Sequence, residues 1–146
     1  MQLSQTDIAY FAGIMDGEGS ISLKKVNTEY KPKYRPCMTV GSTDPLLVRW
    51  ILDRFGGSPS VLKAKSPKHK HFFKIDWQSK DDVKTILHLL IPYLIIKKRQ
   101  AELVLSAVDL LPGLGRKLND EDRELLEEAA AGIASLNQRG PSLELN

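Results

Sequence analysis

From Ala9 to Gly17 the chain carries a small residue at every fourth position, Ala9, Gly13 and Gly17, with Ala12 beside them. A helix through this segment has one stripe almost free of side-chain bulk. Glycine in a helix costs about 1 kcal/mol relative to alanine, so a chain that keeps two of them here needs compensation. Close approach of another helix backbone provides it, as in membrane dimers built on small residues every fourth position. The neighbour can be a second copy or another helix of the same chain, and Gly17 with Gly19 can also serve as a simple helix stop.

Downstream of this helix the pattern changes to strand periodicity. Residues 19–26 set Ile21 and Leu23 against Ser20, Ser22 and Lys24; residues 35–41 set Pro36, Met38 and Val40 against Arg35, Cys37, Thr39 and Gly41. Residues 60–65 place Leu62 and Ala64 opposite Val61, Lys63 and Lys65, and residues 71–77 place Phe73, Ile75 and Trp77 opposite Phe72, Lys74 and Asp76. Two hairpins with one apolar and one basic-polar face predict a sheet backed by helices. Thr43-Asp44-Pro45 starts a helix that runs through Leu47, Ile51 and Phe55 to Gly56-Gly57, and Ser79 starts another that Pro92 closes. Further helices are predicted from about Ile95 to Leu111, stopped by Pro112-Gly113, and from about Asp120 to Leu136.

A length of 146 residues suits one domain over 1–146, with the residues after about Arg139 as a loose tail. The longest apolar run, Leu89 to Ile96, is broken by Pro92 and falls well short of the roughly 20 residues of a membrane span. The first seven residues lack the basic and apolar regions of a signal peptide, which predicts an intracellular protein, in an organelle or a prokaryotic cytoplasm alike. One cysteine, Cys37, excludes an intramolecular disulfide and a multi-cysteine zinc site. Charge is segregated: residues 24–80 hold 13 Lys/Arg against 4 Asp/Glu, whereas the whole chain nets only +3. Lys24, Lys25, Lys31, Lys33, Arg35, Lys63, Lys65, Lys68, Lys70 and Lys74 all fall in the strand region, a density suited to a polyanion such as a nucleic-acid backbone or, alternatively, to a solvated sheet face.

Phe11-Ala-Gly-Ile-Met-Asp-Gly-Glu-Gly19 resembles the nine-residue LAGLIDADG motif of homing endonucleases. Ile91 to Leu105 resembles the segment that follows the fourth strand in single-motif members, and Ile133 to Asn137 resembles their last helix. The resemblance covers roughly residues 5–137. It implies an α+β fold with an αββαββα core and a saddle-shaped antiparallel sheet. With no second motif after residue 19, it also implies an obligatory homodimer whose motif helices pack together through Ala9, Ala12, Gly13, Asp16 and Gly17. Such a dimer binds a long, roughly two-fold-symmetric double-stranded DNA site and cuts both strands, leaving short 3′ overhangs.

The resemblance further implies magnesium held by Glu18 and the backbone carbonyl of Gly17, with manganese as a substitute and calcium as an occupant that does not support cleavage. Hard oxygen ligands suit these ions, and divalent ions activate water and neutralise the leaving oxygen in phosphodiester hydrolysis. Lys97, with Lys98 as the alternative register, corresponds to a lysine near the reactive phosphate. Asp44 stands at a water-organising position that is usually glutamine, and Val48 at one that is usually arginine; Asp44 can equally be the N-cap before Pro45. Expected DNA contacts are Ser22, Lys24, Asn27, Arg35, Cys37, Thr39, Lys63, Lys65, Lys70, Phe72 and Lys74, with Arg35 the best candidate for guanine. His69, His71 and His88 lack metal-ligand spacing, and Trp50 and Trp77 sit on apolar faces as core residues. Two other readings remain: a LAGLIDADG-derived splicing maturase or DNA-binding regulator that no longer cuts, and a small α/β RNA-binding domain, which leaves the bare stripe unexplained.

Overall fold

The first helix, α1 (Gln5–Glu18), starts at a capping box in which Asp7 N donates to Ser4 Oγ at 3.1 Å and Ser4 N donates to the Asp7 carboxylate at 3.3 Å. This satisfies amides that a helix start otherwise leaves open. Phe11, Ala12 and Met15 form its buried side. The computed structural model describes residues 2–29, 31–112 and 117–138. The expected tail after residue 139 and the expected stop at Gly113 lie outside them.

Helix α1 runs directly into β1 (Gly19–Val26), which pairs antiparallel with β2 (Lys33–Ser42) from Gly19↔Val40 to Val26↔Lys33. Asp44 caps α2 (Pro45–Phe55) by accepting from Leu46 N at 2.9 Å. A second strand-strand-helix unit follows: β3 (Ser58–Leu62), β4 (Phe72–Trp77) and α3 (Lys80–Leu90). A 3-10 turn (Ile91–Tyr93) leads to α4 (Lys98–Val108), and α5 (Asp120–Asn137) ends the described chain. The predicted αββαββα order holds, and the sheet is antiparallel with strand order β1-β2-β4-β3.

Alternation along the strands decides which side meets the helices. Ile21, Leu23, Met38, Val40, Ile75 and Trp77 join Phe11 and Met15, Val48, Ile51 and Phe55 of α2, and Val83, Leu87 and Leu90 of α3 in one core. Trp77 also donates its indole N–H to the last carbonyl region of α2, at Phe55 O, 3.0 Å away. On the outer flank α5 packs against the first hairpin: Lys25 pairs with Glu127 at 2.9 Å, Lys31 with Asp120 at 3.3 Å, and Arg123 donates to Pro32 O at 2.7 Å. The Lys25 hydrogen bond and charge hold the Glu127 carboxyl below its ordinary value. Two lysines of the basic stretch are thus neutralised within the chain.

Two sequence expectations are corrected. β3 spans 58–62 rather than 60–65, and its register is one residue off: Leu62 pairs with Phe72 on the polar face and is 63% exposed, while Val61 pairs with Phe73 on the helix side. An edge strand whose residues are all exposed has no burial contrast to fix register, and a one-residue slip inverts every side chain. Lys63 and Lys65 therefore lie in the connecting loop, where Ala64 N donates to His71 Nδ1 at 2.9 Å, and not on a strand. The second correction is that α4 starts at Lys98, because the amides of residues 95–97 are bonded elsewhere.

Gly57 has φ +98°, and a Cβ there would lie 2.5 Å from Ile75 Cγ2 and 2.8 Å from Trp77 Cε2. Gly57→Ala is expected to lower the unfolding free energy by about 2 kcal/mol, from backbone strain and overpacking together. Urea denaturation checks this, and an unchanged midpoint would mean that the α2–β3 turn relaxes freely.

Candidate active site and nucleic-acid interface

Glu18 is the last residue of α1 and is exposed, and among the described residues no hydrogen bond or ion pair engages its carboxylate. Two residues earlier, Asp16 behaves in the opposite way. Its carboxylate accepts from Ile95 N at 2.8 Å, Ile96 N at 3.1 Å and Lys97 N at 3.0 Å. These are amides entering α4, which lack helical partners and need an acceptor. Lys97, the N-cap residue of α4, then turns its ammonium back to donate to Asp16 O at 2.6 Å. Lys97 is thereby fixed beside the last turn of α1, whereas Lys98 is exposed on α4. The Asp16 carboxylate, expected near the dimer interface, is engaged within the chain.

The outward stripe of α1 is bare. A Cβ at Gly13 or Gly17 would meet nothing within 4 Å, both glycines are exposed, and Ala9 is half-buried. Ala12 is corrected, since it is fully buried against the core; its place on the helix turns it toward the Phe11 and Met15 side. Ile95 and Ile96, whose amides Asp16 holds, expose 85% and 67% of their surface. No other helix of the described chain covers Gly13 or Gly17, which leaves the stripe without the partner that its composition demands.

Asp44 is the α2 N-cap, one of the two roles its position allowed, and it shares an open groove with His69, Lys70, His71 and Phe73. Val48, at the position where the family usually has arginine, is buried in the core.

The sheet face away from the helices carries Ser22 and Lys24 of β1 across from Cys37 and Arg35, and Thr39 of β2 across from Asp76 of β4, with Lys74 beside it. Phe72 lies on this face with its ring over Gly41, where a methyl group would overlap it. Asn27 and Lys70 are exposed in hairpin connections, as expected. Cys37 is corrected as a contact residue: it is 1% exposed, with its sulfur 3.6 Å from Thr39 Oγ1. Two residues of this face were not among the expected DNA contacts. Lys33 extends the basic row next to Arg35, and Asp76 accepts from Thr39 Oγ1 at 2.7 Å while standing 3.7 Å from Lys74 Nζ. Alternation placed Asp76 on the face, but nothing in the pattern singled out an acid amid lysines.

Among the described residues no group of three or more His, Cys, Asp and Glu side chains converges on one point. The Glu18 carboxylate and the Gly17 carbonyl are hard oxygen donors of the kind that suit a divalent cation. Among the same residues no helix is long and apolar enough to cross a membrane.

No family model matches the chain. It is 31% identical over 117 residues to the DNA endonuclease I-CreI of Chlamydomonas reinhardtii, a match that spans 72% of this chain and 64% of that enzyme. Its fold superposes on the homing endonuclease I-CvuI in complex with an I-CreI target with a TM-score of 0.72 and 27% identity, over 97% of this chain and 88% of that one. The chain belongs to the LAGLIDADG family. A longer LAGLIDADG homing endonuclease, I-GzeII in complex with its DNA target, shares the fold at 22% identity and a TM-score of 0.69, and the match takes in 89% of this chain but 44% of that one. The LAGLIDADG resemblance of Phe11 to Gly19 is thus borne out, and so is the α+β fold it implied.

Asp16→Ala removes one acceptor of three backbone amides. It is expected to cost about 2–3 kcal/mol of stability and to release residues 95–97, read as faster amide exchange confined to that segment. Retention of slow exchange there would show that the turn is held by other contacts.

Proposed function

We propose that the chain is a homing endonuclease that binds a long, pseudo-palindromic double-stranded DNA site as a homodimer and hydrolyses both strands, leaving short 3′ overhangs. The observation that carries this reading is the end of α1: an unengaged Glu18 carboxylate beside an anchored Lys97, on a helix whose bare outward stripe has no partner. Two copies packed on that stripe bring two Glu18 carboxylates together. The chain's match to 44% of a longer family member fits the same arithmetic of two units per active particle.

Glu18 and the carbonyl of Gly17 would hold the divalent ion, which when bound supplies water activation and charge neutralisation at the leaving oxygen. Magnesium is the proposed ion, manganese a substitute, and calcium an occupant that does not support cutting. Lys97, tied to the backbone of the same helical turn, presents its positive charge to the phosphate undergoing attack. Arg35, Lys24 and Lys74 read or grip DNA from the sheet face, with Ser22, Thr39 and Phe72 between them. Asn27, Lys63, Lys65 and Lys70 from the loops contact phosphates and set register. The DNA substrate puts the working protein inside a cell.

Incubation with a randomised duplex library and magnesium, followed by sequencing of cut ends, is expected to return one family of two-fold-related sites. Glu18→Gln should lower cutting at least about 100-fold while leaving binding to the selected duplex in place, as expected for loss of a metal ligand. Binding without cutting by the natural chain would favour the maturase or regulator reading instead.

Gly13→Leu separates the dimer from the monomer fold. The helix propensity gain of about 0.8 kcal/mol should keep or raise monomer stability, because the position is open. Light scattering should nonetheless report loss of the dimer, together with loss of double-strand cutting. A Gly13→Leu protein that still dimerises and cuts would remove α1 from the interface.

A further inference from the structure

Gln100 is the buried polar side chain among the described core residues, 6% exposed, and the function above gives it no role. A buried amide needs a partner, and Gln100 Nε2 donates to Asn137 Oδ1 at 3.3 Å. Asn137, the last residue of α5, in turn donates from Nδ2 to the Ile21 carbonyl of β1 at 3.0 Å. The polarity of this chain is forced from one end. A carbonyl only accepts, so Asn137 must face Ile21 with its nitrogen, which leaves its oxygen for Gln100 and requires Gln100 to present its own nitrogen.

The location matters more than the bonds themselves. β1 is an edge strand, with a sheet neighbour on one side only. Its first residues follow Glu18 without a loop. Two residues before Glu18, Asp16 is held by the amides of 95–97; three residues after it, Ile21 is held through Asn137 by Gln100. One hold comes from the segment just before α4 and the other from its first turn. The Glu18-Gly19-Ser20 junction is bracketed by one helix start, while the carboxylate itself stays unengaged.

Resting on the endonuclease reading, we infer that Gln100 and Asn137 are positioning residues for Glu18. They fix the exit of β1 so that the metal-holding carboxylate keeps one place relative to Lys97. Residues that orient a ligand from behind are worth 10–100-fold in metal affinity or activity when removed.

Gln100→Leu and Asn137→Asp test this against Val104→Ala, an apolar core truncation one turn further along α4 that removes no hydrogen-bonding group. Leucine fills the Gln100 site with little expected change in melting temperature, because Asn137 is exposed and water can take its freed oxygen. Asn137→Asp removes the donor to Ile21. In the metal-free protein, both variants should speed amide exchange at residues 19–22 about 10-fold. On the duplex that the natural chain cuts, they should raise the half-saturating magnesium concentration or lower kcat about 10- to 100-fold, with KM for DNA within about 2-fold. Val104→Ala should lower the melting temperature and move neither readout. The inference is overturned if both variants exchange and respond to magnesium as the natural chain does, or if Val104→Ala produces the same shifts. If the natural chain cuts nothing, the endonuclease reading fails, while the exchange measurement still decides whether the two amides hold the junction.

Discussion

One carboxylate holds the two halves of the active end together. Asp16 sits two residues from the end of α1 and receives three consecutive amides from the segment that enters α4. These amides precede the helical ladder and need an acceptor elsewhere. This contact sets where α4 begins, puts Lys97 beside the motif helix, and turns Ile95 and Ile96 outward next to the bare stripe. Lys97 is tied to that turn twice, by its own amide on the Asp16 carboxylate and by its ammonium on the Asp16 carbonyl.

The sheet shows a second division of labour. Lys24 and Lys25 are neighbours in sequence, yet alternation sends Lys24 to the open face and Lys25 back to Glu127 of α5. Lys31 is likewise drawn to Asp120. The acidic helix therefore neutralises the back of the hairpin and leaves positive charge concentrated on one face, where a polyanion can meet it. Asp76 breaks the basic row locally. It takes the Thr39 hydroxyl and stands near Lys74, which restrains that lysine more than a solvated one.

The order of elements was legible because its signals are local and strong: Ser4, Asp44 and Ser79 cap helices, and β1, β2 and β4 alternate cleanly between core and open face. Glu18 was legible because it sits in a motif, and Lys97 because it sits in a resembling segment. What failed was non-local. Nothing in the sequence marks residues 95–97 as bonded to a side chain some 80 positions away, so α4 was expected to start too early. β3 slipped because an exposed edge strand offers alternating residues no difference in burial. Ala12 was placed on the stripe because it lies beside it, but a helix turns 100° per residue; Cys37 was placed on the open face by alternation, yet it is 1% exposed there. The Gln100–Asn137–Ile21 relay joins α4, α5 and β1, three elements distant in sequence, and no periodicity reports such a link.

The bare stripe ties these strands of argument together. A helix that places glycines on its outward side gives up propensity at both positions, and within the described chain nothing fills the space above them. The same helix ends in a carboxylate that nothing among the described residues engages, and those residues hold no cluster of three or more metal-ligating side chains. Each deficit alone has an ordinary explanation: an exposed glycine, a solvated acid. Together they are complementary, because a two-fold axis through the stripe fills the space with an identical backbone and doubles the carboxylate in one step. The intrachain bonds of Asp16 bear on the proposed dimer. They anchor the end of α1 within one chain, so that association through the stripe would not have to order that end at the same time.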